Sequence, residues 1–162
     1  MTKPISKKID IVAMESSQKK NWMYPGTHTK LITSSTANSV PVVKLYDAKG
    51  KLIRTEKDNK AVADALANAK LSPTEFFQFT TSESIQLNGW MIKPPDFDAN
   101  KKYPVIQYMY GGPGSQQVLD SYPGGDFYWY QMLLKKGYLI YCVDNRGTGG
   151  RGVAFKKITY QN

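Results

Sequence analysis

The stretch Tyr103-Pro104-Val105-Ile106-Gln107-Tyr108-Met109-Tyr110-Gly111-Gly112-Pro113-Gly114-Ser115-Gln116 decides the reading of this chain. An apolar, β-prone run stops at a glycine-proline loop, the pattern of a buried strand that ends in a backbone turn. Tyr110 reads as the last residue of a strand over 103–110, a phenol placed where the strand stops. A second run with the same grammar follows, Tyr138-Leu139-Ile140-Tyr141-Cys142-Val143-Asp144-Asn145-Arg146-Gly147-Thr148-Gly149-Gly150. Between them Asp126 to Lys136 reads as a helix with Gly137 as its stop. Strand, helix, strand predicts a βαβ unit with parallel strands.

Upstream, Glu75–Thr81 and Ile85–Lys93 read as a hairpin turning at Ser82-Glu83-Ser84. Asp58–Ala69 is alanine-rich and predicts a helix. Asp58 or Asn59 is its N-cap, and Val62, Ala65, Leu66 and Ala69 form its apolar face. Ser72-Pro73 breaks it. From Lys30 to Arg54 the pattern is β: a strand at Lys30–Ser34, a loop at Ser35–Ser39, a strand at Pro41–Tyr46, a turn at Asp47-Ala48-Lys49-Gly50 and a return strand. Residues 1 to about 28 are weakly patterned. Ile9, Ile11 and Val12 suggest a short strand, and Met14–Gly26 reads as a polar, ragged start.

Composition is that of a folded chain: 162 residues, 41% apolar and 22% charged. No run approaches the roughly 18 to 20 apolar residues that span a bilayer. The first residues lack the apolar segment of a secretory signal, so the chain is cytosolic or its signal lies outside this sequence. The net charge of +9 invites a nucleic-acid reading. The basic residues argue against it, because they are scattered pairs such as Lys7-Lys8 and Lys135-Lys136, with arginine only at Arg54, Arg146 and Arg151. Cys142, the single cysteine, excludes an internal disulfide and reads as a small buried hydrophobe. One cysteine and one histidine, His28, cannot build a metal site, and no cofactor motif occurs.

Three groups of residues carry a family resemblance. They are Leu87-Asn88-Gly89-Trp90-Met91-Ile92-Lys93-Pro94 with Lys101-Lys102-Tyr103-Pro104-Val105, the tyrosine-glycine loop 108–116, and Val143-Asp144-Asn145-Arg146-Gly147-Thr148-Gly149. In this order they resemble the prolyl oligopeptidase family of serine peptidases, in its dipeptidyl-peptidase branch. The resemblance spans residues 72–160, is weaker over 30–70 and is lacking over 1–25. It implies an α/β fold, the first half of an α/β-hydrolase sheet, preceded by a few β-propeller-type strands. Residues 1–56 then hold the N-terminal segment and propeller-like strands, 57–74 a linker helix, and 75–162 the start of the peptidase domain. The implied activity is removal of N-terminal dipeptides with Pro or Ala in second position. Peptide is then the partner of the full-length protein, and that protein is periplasmic or secreted.

The chemistry needs an activated serine, a histidine, a carboxylate and donors to the oxyanion. By resemblance Tyr110 is an oxyanion-hole donor, with Gly111 and Gly112 letting backbone approach substrate and Arg146 supporting its loop. The residues alone leave Tyr110 a second role, as a strand-end aromatic packed on the helix 126–136. Ser115 lacks the Gly-x-Ser-x-Gly elbow and reads as a loop serine. Asp144 reads as a loop organiser. Nucleophile, acid and base do not occur in this sequence, so the chain is expected to be an inactive fragment. Strand 138–143 is expected to be an open edge through which copies self-associate. The alternative is a non-catalytic protein-binding module derived from the hydrolase fold, which the 11 tyrosines and 3 tryptophans suit.

Overall fold

The turn chemistry between residues 30 and 57 yields tight hairpins. The computed structural model describes residues 20–23 and 29–160. β1 (Lys20–Met23), β2 (Lys30–Thr36), β3 (Ser39–Tyr46) and β4 (Leu52–Lys57) form one antiparallel sheet in chain order. At the β3–β4 turn the Asp47 carboxylate accepts the N–H groups of Lys49 at 2.9 Å and Lys51 at 2.8 Å. Gly50 supplies the left-handed residue, at φ 84°.

Two readings change here. The expected loop over residues 35–39 contracts to a turn at Ala37-Asn38, with strand on both sides. Its hydroxyls stabilise it, since Ser39 Oγ accepts from the Thr36 N–H and from Thr36 Oγ1. The polar stretch read as a ragged start contributes β1, a fourth strand where three were expected. Backbone pairing to β2 needs no apolar pattern, which is why the sequence did not announce it. Residues 9–12 and His28 lie outside the described residues.

The linker is shorter in helix than expected. α1 (Lys60–Asn68) starts after Asn59, whose φ is 53° and whose side chain does not cap the helix. Asn59 instead donates to the Pro41 carbonyl at 2.7 Å and ties the helix start to β3. The Asp58 carboxylate accepts the Lys60 N–H at 3.0 Å. The predicted apolar face does not bury: only Leu66 is half-covered, Ala65 and Ala69 are exposed, and Val62 stays 45% exposed.

The second sheet contains β5 (Thr74–Thr80), β6 (Gln86–Ile92), β7 (Val105–Tyr108) and β8 (Leu139–Val143) in the order β5-β6-β8-β7. β6 and β8 are antiparallel; β7 and β8 are parallel, with α2 (Asp126–Lys135) as the crossover. The βαβ reading therefore holds. The edge reading does not: β8 lies inside the sheet, and β5 and β7 are its edges. A parallel neighbour reached by a crossover need not be the outermost strand, so chain order misassigned the edge.

Ile92, Tyr130, Leu134 and Ile140 form the core of this layer, with Trp90, Ile106, Phe127 and Leu133 packed around them. α2 ends as its glycine dictates. Gly137 sits at φ 85°, its N–H donates to Leu134 O at 2.9 Å, and the Tyr138 N–H donates to Leu133 O at 3.2 Å. This is a Schellman stop. α3 (Gly152–Lys157) closes the described chain. Among the described residues no helix is long and apolar enough to cross a membrane.

Cys142 is completely buried, as a small hydrophobe in β8. Burial, with a smaller contribution from Asp144, pushes its thiol up to about 12 from an ordinary 9.0. The folded chain should not react with a disulfide reagent at pH 8, and denaturant should release one thiol per chain. Above about pH 9 the unfolded chain loses a proton that the folded chain retains, so stability should fall between about 9 and about 12. Urea titrations across that range check the sign.

Candidate active site

The tyrosine-glycine loop leaves the C-terminal end of a parallel strand, the side of an open α/β sheet where ligands bind. β7 stops at Tyr108, two residues earlier than expected, so Tyr110 lies in the loop rather than at the strand's last position. Gly111 turns the backbone at φ 76°. The Tyr110 ring folds back over Gly112, where a Cβ would sit 2.7 Å from ring atom Cε1. Tyr110 is 67% exposed, and its hydroxyl has no hydrogen-bond partner among the described residues.

The packing role that the residues left open for Tyr110 belongs to Tyr108. The Tyr108 ring stacks on Trp90 at 6.4 Å and meets Tyr130 of α2 at 6.5 Å. Its hydroxyl bonds Gln117 Oε1 at 3.1 Å. Ser115 Oγ accepts from Gln117 Nε2 at 2.8 Å, the role of a loop serine.

Residues 111–125 have no regular structure, and their backbone is held by neighbours. Asp144, 5% exposed at the end of β8, accepts the Gln117 N–H at 2.8 Å and the Val118 N–H at 3.1 Å. Trp90 Nε1 donates to the Gln117 carbonyl at 3.2 Å. Gly114 N–H donates to the Gly147 carbonyl at 2.8 Å, which joins this loop to the one after β8. Gly149 permits the approach, because a Cβ there would sit 3.3 Å from the Gly114 carbonyl oxygen. The organiser role read for Asp144 is thus given its geometry. Gln117 and Asp120 were missed, since no motif marks them.

Arg146 pairs with a carboxylate, but outside its own loop. Its Nη1 lies 2.6 Å from Glu83 Oε2 on the β5–β6 turn, with both side chains solvated. Such an exposed pair contributes about 0–1 kcal/mol. Arg151 meets the backbone instead: it donates to the Gln86 carbonyl and lies 4.0 Å over the Phe155 ring. The two arginines together attach the post-β8 loop to the β5–β6 hairpin. No group of His, Cys, Asp and Glu among the described residues could hold a metal ion.

Burial dominates the electrostatics of Asp144 and holds its carboxyl above the usual 3.8; the Gln117 and Val118 N–H groups and Arg151 oppose that shift. The folded chain therefore keeps this proton longer as pH rises.

The sequence and the fold are similar to those of proteins named dipeptidyl peptidase 4. The dipeptidyl peptidase 4 of Arthroderma otae is 37% identical over 128 residues, 77% of this chain and 16% of that protein. The protein of the same name from Trichophyton rubrum is 36% identical over 128 residues. The crystal structure of Porphyromonas gingivalis dipeptidyl peptidase 4 superposes with a TM-score of 0.81 at 39% identity, covering 89% of this chain and 20% of that one. No protein-family profile matches the chain. The chain is thus related to the dipeptidyl peptidases. Within them its relatives are the dipeptidyl peptidase 4 proteins, of whose length it spans 16% in the Arthroderma protein.

Three outcomes follow from the loop geometry. Gly112→Ala should move the Tyr110 ring off residue 112, because an exposed ring can rotate away, at a stability cost under about 1 kcal/mol. Loss of the ring-current shift on the residue-112 α-proton reports it. Asp144→Ala should cost roughly 1–3 kcal/mol and speed hydrogen exchange at Gln117 and Val118, which lose their acceptor. Stability should fall as pH rises from 3.8 through the raised native value of Asp144, and Asp144→Asn should remove that part of the slope.

Proposed function

We propose that this chain is the segment of a serine-type dipeptidyl peptidase in which the last β-propeller strands give way to the α/β-hydrolase domain. β1–β4 are then the propeller-type strands, α1 the linker, and β5 onward the opening half of the hydrolase sheet. The observation that carries the reading is Tyr110: a solvent-facing phenol, without a hydrogen-bond partner among the described residues, in the loop just past the C-terminal end of parallel strand β7. In that position its hydroxyl serves as a neutral donor to the oxyanion of a tetrahedral intermediate. Gly111 and Gly112 leave room for ring and substrate, and Arg146 braces the neighbouring loop from Glu83.

The serine, histidine and carboxylate of the triad are supplied by sequence beyond these 162 residues, which hold no Gly-x-Ser-x-Gly elbow. The substrate class is peptides with a free N-terminus and Pro or Ala second, and the full-length protein works in the periplasm or outside the cell. The 162-residue chain alone does not turn over peptide. The open side of β7 favours self-association of the isolated chain, with Val105 in the strand at 54% exposure and Met109 just past its end at 56%. A monomer by sedimentation at high micromolar concentration would argue against that.

The test is Tyr110→Phe in the full-length peptidase, assayed on a dipeptidyl-proline anilide. The expected loss is roughly 10²–10³-fold in kcat with KM little changed, the scale of removing one oxyanion donor. Wild-type kcat in Tyr110→Phe overturns the assignment. Turnover by the purified chain overturns its predicted inactivity.

A further inference from the structure

The two sheets are not packed face to face. An open cavity of about 940 Å³ is bordered by α1, the β2–β3 turn and residues 120–123, and hydrogen bonds tie the two sheets together beside it. Those bonds converge on the β2–β3 turn. Asn38 exchanges two hydrogen bonds with the backbone of Thr74 at the start of β5: Nδ2 to the carbonyl at 2.9 Å, and the Thr74 N–H to Oδ1 at 2.8 Å. The Ala37 N–H donates to Asp120 Oδ1 at 2.8 Å. The Tyr122 N–H donates to Ser35 Oγ at 3.3 Å.

Asp120 and Tyr122 belong to the same irregular segment as Tyr110. The first half of that segment is held by the second sheet, at Gly114, Gln117 and Val118. The second half is held by the first sheet, at Asp120 and Tyr122. Val118, 1% exposed, is the last anchor of the first set, two residues before Asp120. A segment without its own ladder keeps its shape only through such anchors, so neighbouring ones reinforce each other.

The turn that receives Asp120 is itself braced. Thr36 and Ser39 close it with side-chain bonds of 2.8 and 2.9 Å, and Ala37 is only 6% exposed. A carboxylate accepting a backbone N–H at a covered position is a charge-assisted bond, stronger than the neutral bonds beside it.

We infer that Asp120 is a positioning residue: by binding the Ala37 N–H it fastens the Tyr110-bearing loop to the first sheet, so the placement of that sheet sets the loop. The loop is a joint, held on one side by Asp144 and on the other by the β2–β3 turn. The inference rests on the oxyanion reading of Tyr110 only for its catalytic meaning. In the full-length peptidase it makes the upstream strands part of the machinery that aims the oxyanion donor.

The test is residue-resolved amide hydrogen exchange on the 162-residue chain. Asp120→Ala should speed exchange about tenfold at Ala37, which loses its acceptor, and also at Gln117 and Val118, whose own acceptor Asp144 is untouched. Ile140 and Cys142 amides, inside the second sheet, should keep their wild-type rates. Asp120→Asn, which retains an acceptor oxygen, should restore Gln117 and Val118 to near wild type. Ser35→Ala, which removes the acceptor of Tyr122, should act in the same direction as Asp120→Ala.

Faster exchange at Ala37 alone, with Gln117 and Val118 unchanged, overturns the inference, because the contact then ends at the turn. If Asp120→Ala loosens the whole chain, Ser35→Ala and Asp120→Asn decide: no change at Gln117 and Val118 in Ser35→Ala, or no rescue by Asn, also overturns it. Tyr110→Phe should leave these exchange rates unchanged. A failed oxyanion assignment and a failed loop linkage therefore give separate results.

Discussion

The insertion of β8 between β6 and β7 is the constraint on which the second half of this chain depends. It aligns Ile92, Ile140 and Ile106 across three strands, through the registers Ile92↔Ile140 and Ile106↔Ile140. α2 lays Tyr130 and Leu134 against that row. Burial of such side chains contributes about 1.5–3 kcal/mol each. It also fixes where β7 and β8 end, side by side and pointing the same way. The loops after them are therefore brought together at one end of the sheet by packing that lies far from either loop.

Once the two loops are adjacent, backbone polar groups do the rest. A loop of this length with no regular structure carries N–H groups that must find acceptors. The buried Asp144 carboxylate supplies two, and the Gly147 carbonyl another. Burying a carboxylate is unfavourable, and the upward shift of Asp144 records that cost. The compensation is shape: both of its oxygens are committed to one segment. Tyr110 is left as the conspicuous uncommitted group at this end, exposed where its neighbours Tyr108 and Ser115 are engaged.

Much of this was legible locally. The Asp47–Gly50 turn, the Gly137 stop, the hairpin over 75–93 and the strand-helix-strand unit were read from turn residues and apolar runs, because each depends on neighbours in sequence. The tyrosine-glycine loop was legible as a site from its position after a strand. Three readings failed, each for its own reason. β1 was hidden because pairing with β2 does not need an apolar pattern. β8 was taken for an edge because chain order says nothing of lateral order. The helix face around Val62 reads as apolar yet stays largely uncovered, because an amphipathic pattern does not show whether another layer packs on it.

By itself the sequence determined most of the elements and the turns that stop several of them. Glycine at a positive φ, proline without an N–H and alternating apolar residues act within a few residues of themselves. The tertiary structure alone decided which strand is interior and which tyrosine packs on α2 while the other faces solvent. It decided that Arg151 rather than Arg146 meets a backbone carbonyl. It also decided that Asp120 reaches a turn 83 positions away. Those outcomes depend on hydrogen-bond partners and contacts between distant segments, and they exist only once β8 has taken its place between its neighbours.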